Sequence, residues 1–325
     1  MRKVRWGVLG TADIARGQTI PGMLLAENCQ LYAIAGRSLE KAESFKSQFG
    51  FEKAYGSYDA LLADPQVEAV YIPLPNHLHC PWTLKALEAG KHVLCEKPLA
   101  GTEQEVRGMI DAANRSGVYL MEAFAYLHSP YVAMLKQDID SGVIGDIRYI
   151  ESAFLGGIKA PDDVRMFKEY YGGSMYDLGC YPLSLTLWLM GKAPEAVQAV
   201  ASYDARGIDL YSAALLEFDG GARASIQCGM VLSGARHDRL IVQGSRGIIR
   251  SSVEFNQRGE LQYAITAGGE TQVRTVTARQ NYCLEVEQLG RCILDGETPH
   301  VSNAFSLLES QVMDRVLRAM GYREE

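Results

Sequence analysis

Lys97 is the first residue whose type and position indicate chemistry. It belongs to the segment Glu96-Lys97-Pro98, which directly follows the apolar run from His92 to Cys95. Such a run is typical of a buried strand, and a cationic side chain at the carboxyl end of a strand in a parallel sheet points into the crevice where ligands bind. Lys97 is therefore predicted to contact a ligand and not the core.

Asp177 and Tyr181 form a second reactive pair, which follows Gly172-Gly173. They are four residues apart at the start of a predicted helix, so they share one helical face. A phenol has an ordinary pKa of about 10 and is a poor base at neutral pH, but an adjacent ammonium group favours the phenolate. We therefore expect Lys97, Asp177 and Tyr181 to converge.

Removal of a hydride from a carbon that bears a hydroxyl group needs a base and a positive group near the hydroxyl oxygen. Tyr181 can serve as the base and Lys97 as the positive group, while Asp177 orients the lysine or binds a neighbouring substrate hydroxyl. In the simpler interpretation, Asp177 only caps the helix and Tyr181 only packs one turn later. A nucleotide motif in the same chain favours the first interpretation.

The segment Gly10-Thr11-Ala12-Asp13-Ile14-Ala15 fits the pattern G-x-G-x-x-G/A, with alanine in place of the second glycine. It follows the first predicted strand and opens the first predicted helix. Small residues there let the backbone approach a pyrophosphate, whose charge is met by free amides at the helix N-terminus. A tight turn without a ligand is the alternative, but the position of the motif favours a dinucleotide.

Two further segments are predicted to reach the same edge. Gly36-Arg37-Ser38 ends the second predicted strand, where an NAD enzyme would present a carboxylate to the adenosine ribose. A guanidinium and a hydroxyl suit a 2'-phosphate, so NADP is favoured; alternatively Arg37 stacks on adenine and both NADP and NAD bind. In Pro73-Leu74-Pro75-Asn76-His77-Leu78-His79, His79 either caps a helix or contacts ribose.

The elements that must position these residues alternate between strand and helix over the first 121 residues. This rhythm predicts a doubly wound parallel sheet with helices on both faces, an α/β Rossmann domain over 1–121. The ranges of the predicted strands are 4–9, 30–35, 69–72, 92–95 and 118–121, and those of the helices are 13–25, 39–49, 80–89 and 103–116.

Residues 122–325 are predicted to form an α+β domain for substrate binding and oligomerisation. Alternating stretches with turns such as Asp219-Gly220-Gly221 indicate an open, mainly antiparallel sheet, and apolar residues on both registers of strand 222–230 predict a homodimer or a dimer of dimers. The predicted strands include 146–154, 209–218, 223–230, 238–243 and 247–253, and the predicted helices are 131–141, 282–295 and 303–320.

The composition of the chain limits the kinds of molecule that it is expected to bind. A chain of 325 residues exceeds the size of one core, which predicts two domains. A net charge of -7 argues against nucleic acid and anionic membranes. The seven cysteines lack the paired spacing of a zinc site, so we expect reduced thiols and no metal. No apolar run reaches the roughly 20 residues that cross a bilayer, and we expect a cytoplasmic protein.

Taken together, these motifs resemble the Gfo/Idh/MocA family of oxidoreductases, named after glucose-fructose oxidoreductase and inositol dehydrogenase. The resemblance spans nearly the whole chain. Within the family, the sequence is similar to the branch of dihydrodiol dehydrogenases and NADP-dependent xylose dehydrogenases. The residues that carry this similarity are Met121-Glu122-Ala123-Phe124, Gly142 with Ile144-Gly145, and Tyr181. The resemblance implies catalysis by Lys97 with Asp177 and Tyr181, commonly a dimer, and a last helix over 303–321 that packs back on the first domain.

The resulting expectation is an NADP-preferring oxidoreductase of a sugar or polyol, most simply an aldose oxidised at C1. A trans-dihydrodiol dehydrogenase or a keto-sugar reductase is the alternative, and a non-catalytic NADP-binding sensor is the alternative of another class. The predicted catalytic residues are Lys97, Asp177 and Tyr181; the cofactor residues are Gly10, Thr11, Ala12, Ile14, Arg37, Ser38, Pro73, Leu74, Asn76, His79, Glu96, Lys97 and Arg165; the substrate residues are Phe124, His128, Asp177 and Tyr181.

Overall fold

A computed structural model of the protein describes residues 2–232, 236–252 and 255–323. The chain divides into two compact units. The first runs through His128 and also contains Arg279–Leu307, and the second contains Ser129–Ala278 and the chain from Leu308 onward. The first unit thus extends beyond the predicted boundary at residue 121, and it takes in the penultimate helix together with only the start of the last one.

The first unit is built on a parallel sheet of six strands in the order β3-β2-β1-β4-β5-β6. The strand order reverses between β1 and β4, and in such sheets ligands bind at the carboxyl ends beside that reversal. The predicted strands are confirmed with ends shifted by up to two residues, and β3 had not been predicted. The strands are Val4–Leu9 (β1), Cys29–Ala35 (β2), Lys53–Tyr55 (β3), Ala69–Ile72 (β4), His92–Glu96 (β5) and Leu120–Ala123 (β6).

Helices cover this sheet, and their ends follow familiar capping rules. Ser38 accepts a hydrogen bond from the Lys41 amide and caps one helix, while Thr102 and Glu105 form a capping box on another. The helices of the first unit, numbered in chain order, are Ile20–Leu25 (α1), Leu39–Phe49 (α2), Tyr58–Leu62 (α3), His79–Glu88 (α4), Glu103–Ser116 (α5) and Asn281–Asp295 (α8).

The helix that follows β1 is not a uniform α-helix. It begins at residue 13, and Ala15–Thr19 form a π-helical turn before α1. Such turns occur often at functional sites. This one places Thr19 in the core, where its hydroxyl donates to the hydroxyl of Tyr71 at 2.8 Å.

The second unit is built on eight strands in the order β14-β13-β12-β11-β7-β10-β9-β8. Only β7 and β10 pair in parallel among the described strand pairs of this sheet, so the predicted open, mainly antiparallel sheet is confirmed. Val253, at the end of one predicted strand, lies outside the described residues. The strands are Ile147–Gly157 (β7), Ala196–Tyr203 (β8), Asp209–Glu217 (β9), Arg223–Leu232 (β10), His237–Gly244 (β11), Gly247–Ser251 (β12), Gly259–Ala267 (β13) and Glu270–Ala278 (β14).

The two faces of the second sheet differ. On β10, Ile226 and Cys228 are buried, whereas Ser225 and Gln227 alternate with them and are half-buried. The expectation of apolar residues on both registers of this strand is therefore wrong, because its second register is polar. The remaining helices are Pro130–Asp140 (α6), Cys180–Met190 (α7) and Asn303–Ala319 (α9).

A second π-helical turn, Met175–Gly179, precedes α7. Together with the helical residue 174 it makes one continuous helix over 174–190, which carries both Asp177 and Tyr181. The predicted helix for this pair is therefore confirmed, although its first part is π-helical. Within the described ranges, we find no helix with the length and apolarity needed to traverse a bilayer.

Candidate active site

Most of the predicted site lies at the carboxyl edge of the first sheet. Because its strands are parallel, their carboxyl ends share one edge. The predicted residues brought together there are Gly10, Thr11, Ala12 and Ile14 after β1, Arg37 and Ser38 after β2, Pro73, Leu74, Asn76 and His79 after β4, Glu96 and Lys97 at the end of β5, and Phe124 and His128 after β6.

The turn at Gly10 fits a dinucleotide. Gly10 has a φ of +122°, and a Cβ there would lie 3.0 Å from the side chain of Leu74, so both conformation and space require glycine. Its amide donates to the carbonyl of Ala35 at 2.8 Å, which ties the turn to β2. The first amides of the helix that follows have no intrahelical partners and can meet phosphate oxygens.

Arg37 is exposed directly after β2, while the Ser38 hydroxyl is occupied as the cap of α2. Burial raises the pKa of Tyr58, and the positive charge of Arg37 nearby partly opposes that rise. The Tyr58 hydroxyl also lies 3.8 Å from the position of a Cβ on Gly10. Arg37, Tyr58 and the Gly10 turn therefore form one cluster, in which sequence patterns had not indicated Tyr58.

Lys97 is half-buried, and the residue before it is anchored in the core. Glu96 accepts a hydrogen bond from the Tyr71 hydroxyl at 2.6 Å and one from the Lys97 amide at 3.3 Å. Tyr71 in turn accepts from Thr19 at 2.8 Å. Burial raises the pKa of Tyr71 well above its ordinary value, so its hydroxyl remains a donor. The chain Thr19-Tyr71-Glu96 thus fixes the backbone that presents Lys97.

Two further buried carboxyls lie near Glu96. Burial raises the pKa of Glu122 to about 7, although the Leu99 amide donates to it at 2.8 Å and the charge of Lys97 favours its ionised form. Burial, with the negative charge of Glu96, raises the pKa of Glu285 on α8 well above its ordinary value. Among the described residues, neither carboxyl oxygen of Glu285 has a hydrogen-bond partner, so nothing there offsets the effect of burial, which favours the protonated form.

His79 lies beneath this edge and is fully buried. Its ring nitrogens lie 2.8 Å from the carbonyl oxygen of Pro98 and 2.7 Å from that of Leu74. Two such acceptors favour the protonated ring, but burial outweighs them and lowers the pKa of His79 to about 4. The ring of His79 therefore lies between the loop after β4 and the segment after Lys97, with one N–H donor when it is neutral, and this packing favours the structural alternative over a contact with ribose.

The two predicted substrate residues after β6 are packed against protein. Phe124 is fully buried and meets Tyr126 edge to face, with ring centroids 6.0 Å apart. The ring of His128 lies 5.0 Å from that of His300, and burial lowers the pKa of His128 to about 3. Their role in substrate binding stays a prediction.

In the second unit, Asp177 is buried between two cations. The Arg165 Nε lies 2.8 Å from one of its carboxyl oxygens and the Lys159 Nζ lies 3.7 Å from the other. The attraction of Asp177 raises the pKa of Arg165 further, and Asp163 holds the same guanidinium at 3.2 Å. Arg165 had been predicted to bind the cofactor, whereas in this structure it contacts Asp177. Sequence reasoning missed Lys159, because nothing in its segment marks it.

Tyr181 is half-buried in the first turn of α7. Its ring packs at 5.4 Å from Phe154 and at 5.1 Å from Phe255, measured between ring centroids. The two phenylalanines fix the plane of the phenol without using its hydroxyl. The neighbouring Cys180 is buried, and its thiol faces the carbonyl oxygen of Asp177 at 3.6 Å, so it acts as a small packed residue.

Asp209 anchors the start of the same helix. It is buried and accepts hydrogen bonds from the Ser174 hydroxyl at 2.7 Å, the Met175 amide at 2.8 Å and the Ser212 hydroxyl at 2.8 Å. These donors offset part of the rise that burial produces in the pKa of Asp209. All seven cysteines are free thiols, and no group of three potential metal ligands occurs within the described ranges.

Both units match models of known families. Residues 4–124 match the oxidoreductase family with an NAD-binding Rossmann fold, and residues 132–250 match the GFO/IDH/MocA C-terminal domain. The chain belongs to the Gfo/Idh/MocA family. This confirms the resemblance drawn from the motifs.

Relatives in this family include both kinds of dehydrogenase named above. The chain is 35% identical to D-xylose 1-dehydrogenase (NADP(+)) 2 of Haloferax volcanii, over 96% of this chain and 95% of that protein. It is 31% identical to trans-1,2-dihydrobenzene-1,2-diol dehydrogenase of Xenopus laevis, over 98% of each. A crystal structure of KijD10, a 3-ketoreductase from Actinomadura kijaniata in complex with NADP and TDP-benzene, matches with a TM-score of 0.92 and 31% identity over 98% of each chain.

Glu285 illustrates a signal that sequence reasoning passed over. It falls on the apolar face of α8, three residues after Tyr282 and four before Leu289. An acidic residue at a core position of an amphipathic helix is costly unless its charge is removed or paired. This pattern marks Glu285 as a residue that requires an explanation, and Tyr71 in the apolar strand β4 is a weaker case of the same kind.

Proposed function

We propose that this member of the Gfo/Idh/MocA family is an NADP-preferring dehydrogenase that oxidises an aldose at C1. The observation that carries the proposal is the setting of Lys97. This lysine is half-buried at the carboxyl end of β5, follows a carboxylate fixed by Tyr71, and occupies the same sheet edge as the Gly10 turn. A cation so placed is suited to a substrate oxygen that gains negative charge beside a bound dinucleotide.

The proposed reaction assigns one task to each residue. NADP+, when bound, accepts the hydride that leaves C1 with the electron pair of the C–H bond. Tyr181 as phenolate takes the proton of the C1 hydroxyl, the electron pair of that O–H bond forms the carbonyl, and Lys97 stabilises the negative charge that develops on the oxygen. A cyclic aldose becomes a lactone, and Tyr181 ends protonated.

Asp177 is proposed to bind a hydroxyl group of the sugar next to the reacting carbon. Arg165 and Lys159 favour its carboxylate form, because opposite charges at these distances stabilise the ionised state. A carboxylate accepts hydrogen bonds and donates none, so it selects a substrate that presents a hydroxyl donor. The same arrangement fits a sugar or a diol and disfavours an apolar alcohol.

The same residues also support reduction in the opposite direction. Protonated Tyr181 would then donate to a keto oxygen, and hydride would come from NADPH. The structural similarity to a 3-ketoreductase favours this as the second candidate, with a keto sugar as the substrate. Dihydrodiol oxidation is a further variant, favoured by the similarity to the diol dehydrogenase.

The preference for NADP is assigned to Arg37, whose exposed guanidinium suits a 2'-phosphate. We predict that Arg37→Ala raises the KM for NADP by about 10 to 100-fold and changes the KM for NAD by less than about twofold, as expected for loss of a charge-assisted contact. Steady-state kinetics with both cofactors measures this. An equal effect on the two cofactors would assign Arg37 to adenine stacking instead.

The function itself is tested with a substrate panel. The protein is mixed with NADP and with xylose, glucose or a dihydrodiol, and the absorbance of reduced cofactor is followed; keto sugars are tested with NADPH. Reduction of NADP by an aldose supports the proposal, and turnover of the diol or keto sugar alone would favour the second candidate. Binding of NADP without turnover of any substrate would favour the non-catalytic sensor.

We also propose that the more exposed face of the second sheet pairs with a second copy of the chain. Val200 on β8 and Val273 on β14 belong to its large exposed apolar side chains, with 69% and 61% of their surface exposed. Burial of such residues is the usual source of stability in an obligate homodimer. Sedimentation equilibrium of the protein measures the oligomeric state, and a monomer at micromolar concentration would contradict this.

A further inference from the structure

The turn formed by Gly172 and Gly173 holds the backbone of both Arg165 and Asp177. The Gly173 amide donates to the Arg165 carbonyl at 2.8 Å, and the Gly173 carbonyl accepts from the Asp177 amide at 3.1 Å. The side chains of these two partners meet in the ion pair described above. One turn therefore sets both ends of that pair, within the second unit.

Neither glycine can be replaced without moving the turn. Gly173 has a φ of +104°, and a Cβ there would overlap the Asp209 carboxylate. A Cβ on Gly172 would overlap the Arg165 carbonyl and lie 2.7 Å from the Phe167 carbonyl oxygen. Asp209 thus packs directly against one side of the turn, and the loop that carries Arg165 packs against another.

The C-terminal segment completes this packing. Tyr322 is 2% exposed, and its hydroxyl donates to the Gly172 carbonyl at 2.8 Å. Its ring lies 3.5 Å from the position of a Cβ on Gly173 and meets Tyr176 edge to face at 5.7 Å. The Lys168 ammonium lies over the same ring, 5.0 Å from its centroid. Tyr322 therefore contacts the turn both through its hydroxyl group and through its aromatic ring.

Arg323 holds Tyr322 in this position from the next residue. Its guanidinium pairs with Asp314 at 2.8 Å and donates to the Tyr176 hydroxyl. It also lies 5.7 Å from the ring centroids of both Tyr171 and Tyr176, the residues on either side of the glycine turn. The segment Tyr322-Arg323 thus contacts the glycine turn itself and the tyrosines on both sides of it.

We propose that Tyr322, held by Arg323, is a positioning residue that fixes the Arg165–Asp177 pair through the Gly172–Gly173 turn. The proposal rests on the proposed function, since it is Asp177 that is assigned to the substrate there. Tyr322 acts through the backbone and has no contact with the reacting atoms in this role. A shift of about 1 Å in a substrate-binding group costs up to about a hundredfold in rate.

The test replaces only the hydroxyl that reaches the turn. Tyr322→Phe is expected to lower kcat by about tenfold, with the KM for NADP within about twofold of wild type, because the dinucleotide residues belong to the other unit. Tyr203→Phe is the matched control. The Tyr203 hydroxyl donates to the Met320 carbonyl at 2.7 Å, so its removal also weakens the C-terminal segment but leaves the turn intact. The control should keep kcat within about twofold of wild type.

A double-mutant comparison separates positioning from general stability. If Tyr322 acts through the ion pair, Tyr322→Phe should change kcat by less than about twofold when Arg165→Met is already present. A purely structural role predicts the same tenfold loss in both backgrounds, or equal losses for Tyr322→Phe and Tyr203→Phe. Either of these results would overturn the proposal.

Hydrogen exchange tests the same proposal without any substrate. In Tyr322→Phe, the amides of Gly173 and Asp177 should exchange at least about tenfold faster than in wild type, and in Tyr203→Phe they should not. Unchanged exchange would refute the role of Tyr322 even if the protein is a dehydrogenase. Conversely, faster exchange in a protein that turns over no substrate would leave the positioning role intact and remove only the proposed function.

Discussion

Buried acids in the two units are accommodated in different ways. In the second unit, Asp177 meets two cations and Asp209 accepts three hydrogen bonds. In the first unit, Glu285 has neither a cation nor a hydrogen bond from the described residues, and burial raises the pKa of Glu122 to about 7. Burial of an acid is tolerated either by pairing its charge or by keeping its proton, and Asp177 and Glu285 illustrate these two solutions. The first unit uses pairing as well, because its buried Asp64 lies 2.8 Å from the Lys53 Nζ.

The difference between these acids matches the tasks that we propose for Lys97 and Asp177. Near Lys97, burial raises the pKa values of Glu122 and Glu285, which lessens the negative charge around the lysine and suits an oxygen that becomes negative. In the second unit, a carboxyl group paired with two cations suits recognition of substrate hydroxyls. Substitutions that remove one charge at a time should therefore affect catalysis, binding and stability differently in the two units.

The largest effect is expected for Lys97→Met. Loss of the only positive group assigned to the reacting oxygen should lower kcat by at least about a thousandfold, whereas NADP should bind within about threefold of wild type. Steady-state rates and fluorescence titration with NADPH measure both. Lys85→Met is the control, because Lys85 lies on the surface over Trp82 and has no proposed role. Undiminished turnover in Lys97→Met would refute the catalytic assignment.

Asp177→Asn should have the next largest effect. The substitution keeps the shape but leaves Arg165 and Lys159 without their shared carboxylate, so kcat/KM for the sugar should fall by about 10 to 100-fold. Asp163→Asn removes the other carboxylate beside Arg165 and should cost less than about threefold. Kinetics at saturating NADP compare the two variants. Equal losses would mean that the charge of Arg165, and not Asp177, matters.

Glu285→Gln should scarcely change kcat but should change the response of stability to pH. Burial raises the pKa of Glu285 in the folded protein above the value of about 4.3 in the unfolded chain, so wild type loses stability as pH rises between these two pKa values. The advantage of the variant should grow by up to about 1.4 kcal/mol per pH unit until the folded group ionises. Urea unfolding between pH 5 and 9 measures the slope.

Glu287→Gln, two residues later on α8, serves as the control for that slope. Glu287 is half-buried and accepts a hydrogen bond from the Glu27 amide. Its replacement should leave the wild-type pH dependence in place. If Glu285→Gln shows the same slope as this control, Glu285 is charged in the folded protein and its contrast with Asp177 is lost.

The smallest effect is expected for His79, and it has the opposite sign. Burial lowers the pKa of His79 to about 4, so below a pH of about 6.5 the unfolded chain binds a proton that the folded protein excludes. Wild type therefore loses stability on acidification between these values, and His79→Gln should lessen that loss by up to about 1.4 kcal/mol per pH unit. His237→Gln on the exposed surface should not.

Local sequence patterns were sufficient to predict much of this fold. Apolar runs located the strands that end at Leu9, Ala35 and Ile72, and these ends define the edge where the site residues gather. The glycine motif and Lys97 were recognisable because each combines a residue type with a position relative to a strand. Such signals depend only on residues that are close in sequence, and for this reason they could be recognised without a structure.

The parts that were missed depend on distant contacts. Lys159 approaches Asp177 through an irregular loop, and Tyr322 reaches Gly172 across 150 residues of sequence. No periodicity or motif reports such pairs. The π-helical turn at Asp177 was also missed, because an apolar helix such as α7 is buried on all sides and shows no clear period from which a change of pitch could be read.

That turn makes the length of the helix as important as its composition. A π-helical turn holds one residue more than the α-helical turn it replaces, since its hydrogen bonds join residues five apart. Deletion of Leu178 or Gly179 would close it to an ordinary α-helical turn and leave Asp177 and Tyr181 three residues apart instead of four. Asp177 and Tyr181 are thus kept in register by a count of residues, a property that no scan of substitutions would reveal.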